Sequence, residues 1–145
     1  MRRTVSFAAI LVIATALLLG ASKSSEAGYA SIILDADTGE VLRSRNAETR
    51  NYPASLTKLM TLYMLFTELD SGRMQLSDEM MVSKRAAGQP PSKLGLKRGE
   101  RIAVQQAIKA LATKSANDVA TVVAEAVGGT EWEFAAAMTA RARTL

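Results

Sequence analysis

The sequence predicts a mixed α/β chain of the α+β kind, in which one β-hairpin precedes a mainly helical body. Three observations predict it. Two short apolar stretches, Tyr29 to Leu34 and the run opening at Val41 and Leu42, flank the turn signal Asp37-Thr38-Gly39. Leu56, Leu59, Met60, Tyr63, Phe66 and Leu69 then recur at helical spacing. Two later stretches, 104–112 and 118–127, are apolar at helical spacing as well.

Ahead of the hairpin lies an expected export signal, residues 1–27. Arg2 and Arg3 give it a positive start, and Phe7 to Leu19 is uncharged and almost wholly apolar. That run is too short to span a bilayer as a helix, which takes about 20 residues. Ser25 and Ala27 put small residues at the −3 and −1 positions of a cut after Ala27. Membrane contact is then expected only through this segment, with the mature chain exported to the periplasm or cell envelope. Residues 28–145 are left as one catalytic domain, expected to be incomplete.

The hairpin is followed by a polar connection, Arg43 to Asn51. Asn51 is the expected cap of the next helix, and Pro53 fits its first turn. Leu62, Met64 and Leu65 make further faces of that helix apolar, so it is expected to be buried nearly all round, as far as Asp70-Ser71-Gly72. Gly88 to Gly99, with Pro90-Pro91, reads as a loop. Val104, Ala107, Ile108, Leu111 and Ala112 fit a short amphipathic helix, interrupted by Lys114-Ser115-Ala116-Asn117. Asp118 to Val127 suits a second buried helix stopped by Gly128-Gly129. Thr130 and Glu133 have capping-box spacing for a last helix through Trp132, Phe134 and Met138. Two strands alone make no stable sheet, so the hairpin calls for further strands.

Composition narrows the chemistry. The chain has no Cys and no His. Thiol catalysis, thiolate metal sites and a Ser-His-Asp triad are therefore excluded within it. Eighteen basic residues against 14 acidic ones give a net charge of +4. Arg2, Arg3, Lys23 and Glu26 fall in the signal, so 15 basic and 13 acidic residues leave +2. No basic run with interleaved aromatics supports nucleic-acid binding.

A hydrolytic serine in such a chain needs another base, and lysine is a recognised one. Ser55 and Lys58, three residues apart near a helix start, share a face, so hydroxyl and amine can meet. The helix N-terminus adds free backbone donors and a positive field, which favour an alkoxide and an oxyanion. A lysine acting as base near neutrality must be brought down by about three pKa units, roughly 4–5 kcal/mol. A helix terminus contributes about 0.3–1 kcal/mol, so burial or a second cation must supply most of it. Ser-x-x-Lys arises by chance about once in two chains of this length and is weak alone. Here it occurs once, at the head of the most apolar helix. Ser115 and Asn117 are the second candidates: a hydroxyl to relay a proton, an amide to hold substrate or orient Lys58. On spacing alone a helix cap is the simpler role for either.

Pro53-Ala54-Ser55-Leu56-Thr57-Lys58-Leu59-Met60-Thr61 closely resembles the active-site helix of the serine-type D-alanyl-D-alanine carboxypeptidases, the low-molecular-mass penicillin-binding proteins. Asp35-Ala36-Asp37-Thr38-Gly39 with Val41-Leu42 is similar to that family's hairpin. Leu96-Lys97-Arg98-Gly99-Glu100 resembles its segment before the second motif, and Ser115-Ala116-Asn117-Asp118 the Ser-x-Asn motif itself, with Ala116 where many relatives have glycine. The resemblance implies the N-terminal portion of a β-lactamase/transpeptidase-like domain. It implies that Ser55 attacks the D-Ala-D-Ala bond of a peptidoglycan stem peptide while Lys58 takes its proton. Ser115 completes the proton network and Asn117 holds the substrate. β-Lactams are implied as acylating inhibitors, and no metal or organic cofactor is needed. The family's third motif, Lys-Thr-Gly on a later strand, does not occur in the sequence. A truncated chain, inactive by itself, is the corresponding expectation. Two rival readings are a serine β-lactamase-like enzyme and a non-catalytic cell-wall-binding remnant.

Overall fold

The computed structural model describes residues 29–145. The expected signal, 1–27, lies outside the described residues. The described chain forms two compact units, one ending at Tyr52 and the other running from Pro53 to Leu145.

The first unit is the hairpin. Strand β1 (Ser31–Leu34) pairs antiparallel with β2 (Val41–Arg45), Ser31 facing Arg45 and Leu34 facing Val41. Asp35 builds the turn. Its carboxylate accepts hydrogen bonds from the Thr38 N–H at 2.8 Å, the Thr38 hydroxyl at 2.9 Å and the Asp37 N–H at 3.1 Å. Those donors hold its carboxyl below the usual carboxylate range. Gly39 closes the turn at φ 72°, where a side chain would be strained. Ile32, Ile33, Leu34, Val41 and Leu42 are all exposed.

The second unit is helical with one small sheet. A 3₁₀ turn, Ala54–Leu56, leads into α1 (Thr57–Asp70). Strand β3 (Glu79–Met81), helix α2 (Lys84–Ala87), strand β4 (Arg101–Ala103) and helices α3 (Val104–Lys114), α4 (Asn117–Gly128) and α5 (Glu131–Ala142) follow. β3 and β4 are antiparallel, with Met80 opposite Ile102. Those two side chains are buried while Glu79, Met81 and Arg101 are exposed, the period-two pattern of a half-buried sheet. This sheet was not expected. Each strand is three residues long, with a single inward position, too little for an alternation to register.

Helix α4 is the centre of the core. Val119, Val122 and Val123 are fully buried and cluster with Leu65 of α1, Val104, Ala107 and Leu111 of α3, and Phe134 of α5. The Thr130 hydroxyl caps α5 by accepting from the Glu133 N–H at 3.1 Å, the first half of the expected capping box; its second bond goes from the same hydroxyl to the Glu133 carboxylate at 2.8 Å, in place of one from the Thr130 backbone N–H.

Two expectations need correction. Asn51 caps nothing: its amide donates to the Thr49 carbonyl at 3.3 Å. The helix starts later because Ala54 sits at φ 48°, a left-handed conformation that no α-helix continues through. Nor is α1 buried nearly all round. Only Thr61 and Leu65 are buried, whereas Leu59 and Phe66 are 64% and 44% exposed. Within this unit α3, α4 and α5 pack against part of its surface and leave the rest open.

Candidate active site

The 3₁₀ turn fixes where Ser55 stands. With three residues per turn, positions i and i+3 eclipse one another, more closely than on an α-helix. Ser55 lies within that turn and Lys58 in the first turn of α1, so both fall on one side of the helix start. No side chain caps this start, and its first turn carries no acidic residue. The positive end of α1 is thus left uncompensated beside an exposed hydroxyl.

Helix α3 supplies the opposite wall. Its last turn ends on Ser115, at φ 54° and ψ 40°. Glycine or asparagine usually takes that left-handed position. Ser55, Lys58 and Ser115 line one groove of about 370 Å³, with Leu59, Leu62 and Leu111 as its apolar floor. Two non-glycine residues in left-handed conformation, Ala54 and Ser115, therefore border the same groove. Each costs on the order of 1–2 kcal/mol, and strain of this kind concentrates at functional sites.

Asn117, the first residue of α4, is bound on both ends of its side chain. Its Nδ2 donates to the Pro90 carbonyl at 3.0 Å and the Pro91 carbonyl at 3.3 Å. Its Oδ1 accepts from Lys58 Nζ at 2.7 Å. Carbonyls on one side and an amine on the other allow only one orientation of the amide. Neither Ser115 nor Asn117 caps α4, whose cap position is Ala116 and which has no side-chain cap bond. Lys58 is half-buried and bonded to Asn117, and no hydrogen bond joins it to Ser55.

One residue of the site was given no role in the sequence beyond closing a motif and opening a helix. Asp118 is fully buried. Its carboxylate accepts from the Leu94, Gly95 and Leu96 N–H groups at 3.0, 2.9 and 3.1 Å and from the Val119 N–H at 2.9 Å. Burial pushes the carboxyl upward, but the four donors together outweigh it and hold it below its ordinary range. Asp118 thus pins the 94–96 loop to α4. The Asn117 N–H donates to the Ser92 carbonyl at 2.7 Å, and the Ser92 hydroxyl donates to the Lys114 carbonyl at 2.8 Å. Residues 90–96 are thereby laced to the corner that carries Ser115 and Asn117. An aspartate directly after Ser-x-Asn, at the head of an apolar run, was the available signal. Three of its four partners are backbone groups more than 20 residues away, which no spacing reveals.

The family described as D-alanyl-D-alanine carboxypeptidase, peptidase S11, matches residues 19–145. The D-alanyl-D-alanine carboxypeptidase DacF of Bacillus subtilis is 34% identical over 124 residues, covering 86% of this chain and 32% of that protein. The crystal structure of the D-alanyl-D-alanine carboxypeptidase DacD from Francisella tularensis superposes with a TM-score of 0.74 at 31% identity, over 79% of this chain and 28% of that one. Penicillin-binding protein D2 from Listeria monocytogenes, in its ampicillin-bound form, superposes at 0.62 with 26% identity, over 79% of this chain and 45% of that one. The chain spans about a third of the length of the curated relatives it matches.

Proposed function

The chain belongs to the D-alanyl-D-alanine carboxypeptidase family, and on that premise we propose that it carries the acylating half of a serine peptidase site directed at peptidoglycan stem peptides. One observation carries the reading: the Lys58 amine, held at 2.7 Å by Asn117 Oδ1, lines the same groove as the Ser55 and Ser115 hydroxyls.

The chemistry follows from those groups. Ser55 Oγ attacks the carbonyl carbon between the two terminal D-alanines, and its proton passes to the free pair of Lys58 Nζ. The uncapped start of α1 stabilises negative charge as it develops. The tetrahedral adduct collapses, the C–N bond breaks, and the departing D-alanine amine takes a proton relayed from Lys58 through the Ser115 hydroxyl. Water then attacks the ester. It releases the shortened stem as a carboxylate and returns the proton to Ser55. Asn117 performs two tasks, holding Lys58 in place and offering the remaining lone pair of its Oδ1 to a substrate N–H, its Nδ2 being committed to the Pro90 and Pro91 carbonyls. A β-lactam ring amide enters by the same attack and leaves an acylated serine. The positive start and apolar run before Gly20 support the reading of export to the cell envelope, where peptidoglycan lies.

The test uses a polypeptide of the relatives' full length that carries residues 29–145. Incubation with a fluorescent penicillin, followed by peptide mapping in a mass spectrometer, yields the adduct on Ser55. Ser55→Ala abolishes labelling while the circular dichroism spectrum is unchanged. An adduct on another residue, or labelling that survives Ser55→Ala, overturns the assignment.

A further inference from the structure

The second residue of helix α5 is the chain's single tryptophan, Trp132, and it is 84% exposed. Trp132 lines two separate hollows. One, of about 490 Å³, is walled by Arg85, Glu125, Gly129, Thr130 and Glu131. The other, of about 200 Å³, is formed with Ala135, Ala136 and Thr139. These three residues lie three, four and seven positions beyond Trp132, on the same face of α5. Two of them are alanines, so the indole stands above a floor of methyl groups and leaves ring surface open. On its other side the polar groups are already ordered. Arg85 is ion-paired with Glu131, the Thr121 hydroxyl donates to Glu131 at 3.0 Å, and the Ser83 hydroxyl donates to Glu125 at 2.9 Å.

This combination selects among ligand classes. A large exposed aromatic ring gives contact area with little conformational cost, and its wet surroundings tolerate a polar partner. A protein partner buried on such a ring normally meets a cluster of large apolar side chains around it. Here the neighbours are two alanines, a glycine, two threonines, two glutamates and Arg85, with no large apolar side chain among them. An anionic lipid surface is disfavoured by Glu125, Glu131 and Glu133. A pyranose fits each feature. Its axial C–H face lies flat against an indole, and its equatorial hydroxyls donate to carboxylates and accept from a guanidinium.

We propose that Trp132 and the Arg85–Glu125–Glu131 hollow bind an N-acetylated sugar ring of a glycan strand, holding the protein on the polymer that bears its peptide substrate. The identity of the glycan rests on the proposed function, whereas the sugar-binding chemistry rests on these residues alone. Trp132, Arg85 and Glu125 line neither hollow that contains Lys58, whereas Glu131 and Ala135 also line the one that Lys58 shares with Asn117.

The chain reports on its own site, because its tryptophan emission comes from Trp132 alone. Titration with the tetrasaccharide of N-acetylglucosamine is expected to give a saturable emission change toward shorter wavelength, with calorimetry returning the same affinity. Trp132→Ala weakens calorimetric binding at least tenfold, and Trp132→Phe, which keeps a stacking face, recovers part of it. Both variants retain the parent's circular dichroism spectrum, and in the full-length polypeptide both leave penicillin labelling of Ser55 unchanged. A flat titration to 10 mM sugar (roughly the weak limit of specific recognition) overturns the proposal, as does undiminished binding by Trp132→Ala. Sedimentation showing a Trp132-dependent dimer overturns it in favour of a second copy. Failure of Ser55 labelling strikes the carboxypeptidase reading and leaves the sugar measurement intact.

Discussion

Asp118 illustrates how a single side chain holds this site open. Its carboxylate replaces solvent for four backbone N–H groups, three of them in the loop 94–96. Asp118→Asn keeps the shape but offers one acceptor oxygen and an NH₂ group that faces donors. Leaving buried donors unmatched costs about 1–3 kcal/mol. Urea denaturation at pH 7 is expected to show a loss of that size. The pH dependence has a definite sign. The folded carboxyl is held below its unfolded value of about 3.9. Its stabilising contribution is therefore complete above about pH 4 and fades as pH falls through the lower folded value. The gap between parent and Asp118→Asn narrows over that acidic range. A gap that widens on acidification contradicts the assignment. Lys58 and Asn117 were legible as residue types, with orienting Lys58 one of two roles open to the Asn117 amide, and the 2.7 Å contact realises that role. They are 59 positions apart, and only the packing of α4 on α1 brings them together.

At the scale of elements, legibility followed length. The hairpin, α1, α3, α4 and α5 each offer a run long enough for periodicity to register, and their turns carry glycine or a capping hydroxyl. The strands Glu79–Met81 and Arg101–Ala103 and the four-residue helix Lys84–Ala87 are too short for that. Their stability is tertiary. Met80 and Ile102 are fixed by the core, and the Ser83 hydroxyl that caps Lys84–Ala87 also reaches Glu125 on α4. The joint between α4 and α5 makes a testable case. Gly128 reads in the sequence as a helix stop, yet it is still helical and its φ is ordinary. What needs glycine there is proximity. A Cβ at 128 would stand 2.6 Å from Phe134 Cβ and 2.8 Å from the Phe134 backbone nitrogen and Cα. Alanine gains about 1 kcal/mol of helix propensity, but forcing backbone apart costs about 1–3 kcal/mol. Gly128→Ala is therefore expected to lower the urea midpoint. A rise would mean that α5 yields at no cost.

For the molecule as a whole, the telling feature is how unevenly α1 is used. Leu65 is fully buried, and it meets the valines of α4 through the common core. Leu56, Leu59 and Phe66 on the same stretch are 67%, 64% and 44% exposed. The sequence pattern of this helix was written for burial on more sides than the described residues provide. The two sets should respond differently to substitution. Leu65→Ala removes core volume and is expected to cost about 2–5 kcal/mol. Leu56→Gln and Leu59→Gln remove mainly exposed apolar area and should change stability by about 0.5 kcal/mol or less. They should instead reduce self-association, since a contiguous apolar surface of this kind drives molecules together. Urea denaturation reads the first effect, and light scattering against concentration reads the second. If Leu59→Gln destabilises as much as Leu65→Ala, the outer side of α1 is packed after all, and the groove that holds Ser55, Lys58 and Leu59 is narrower than 370 Å³.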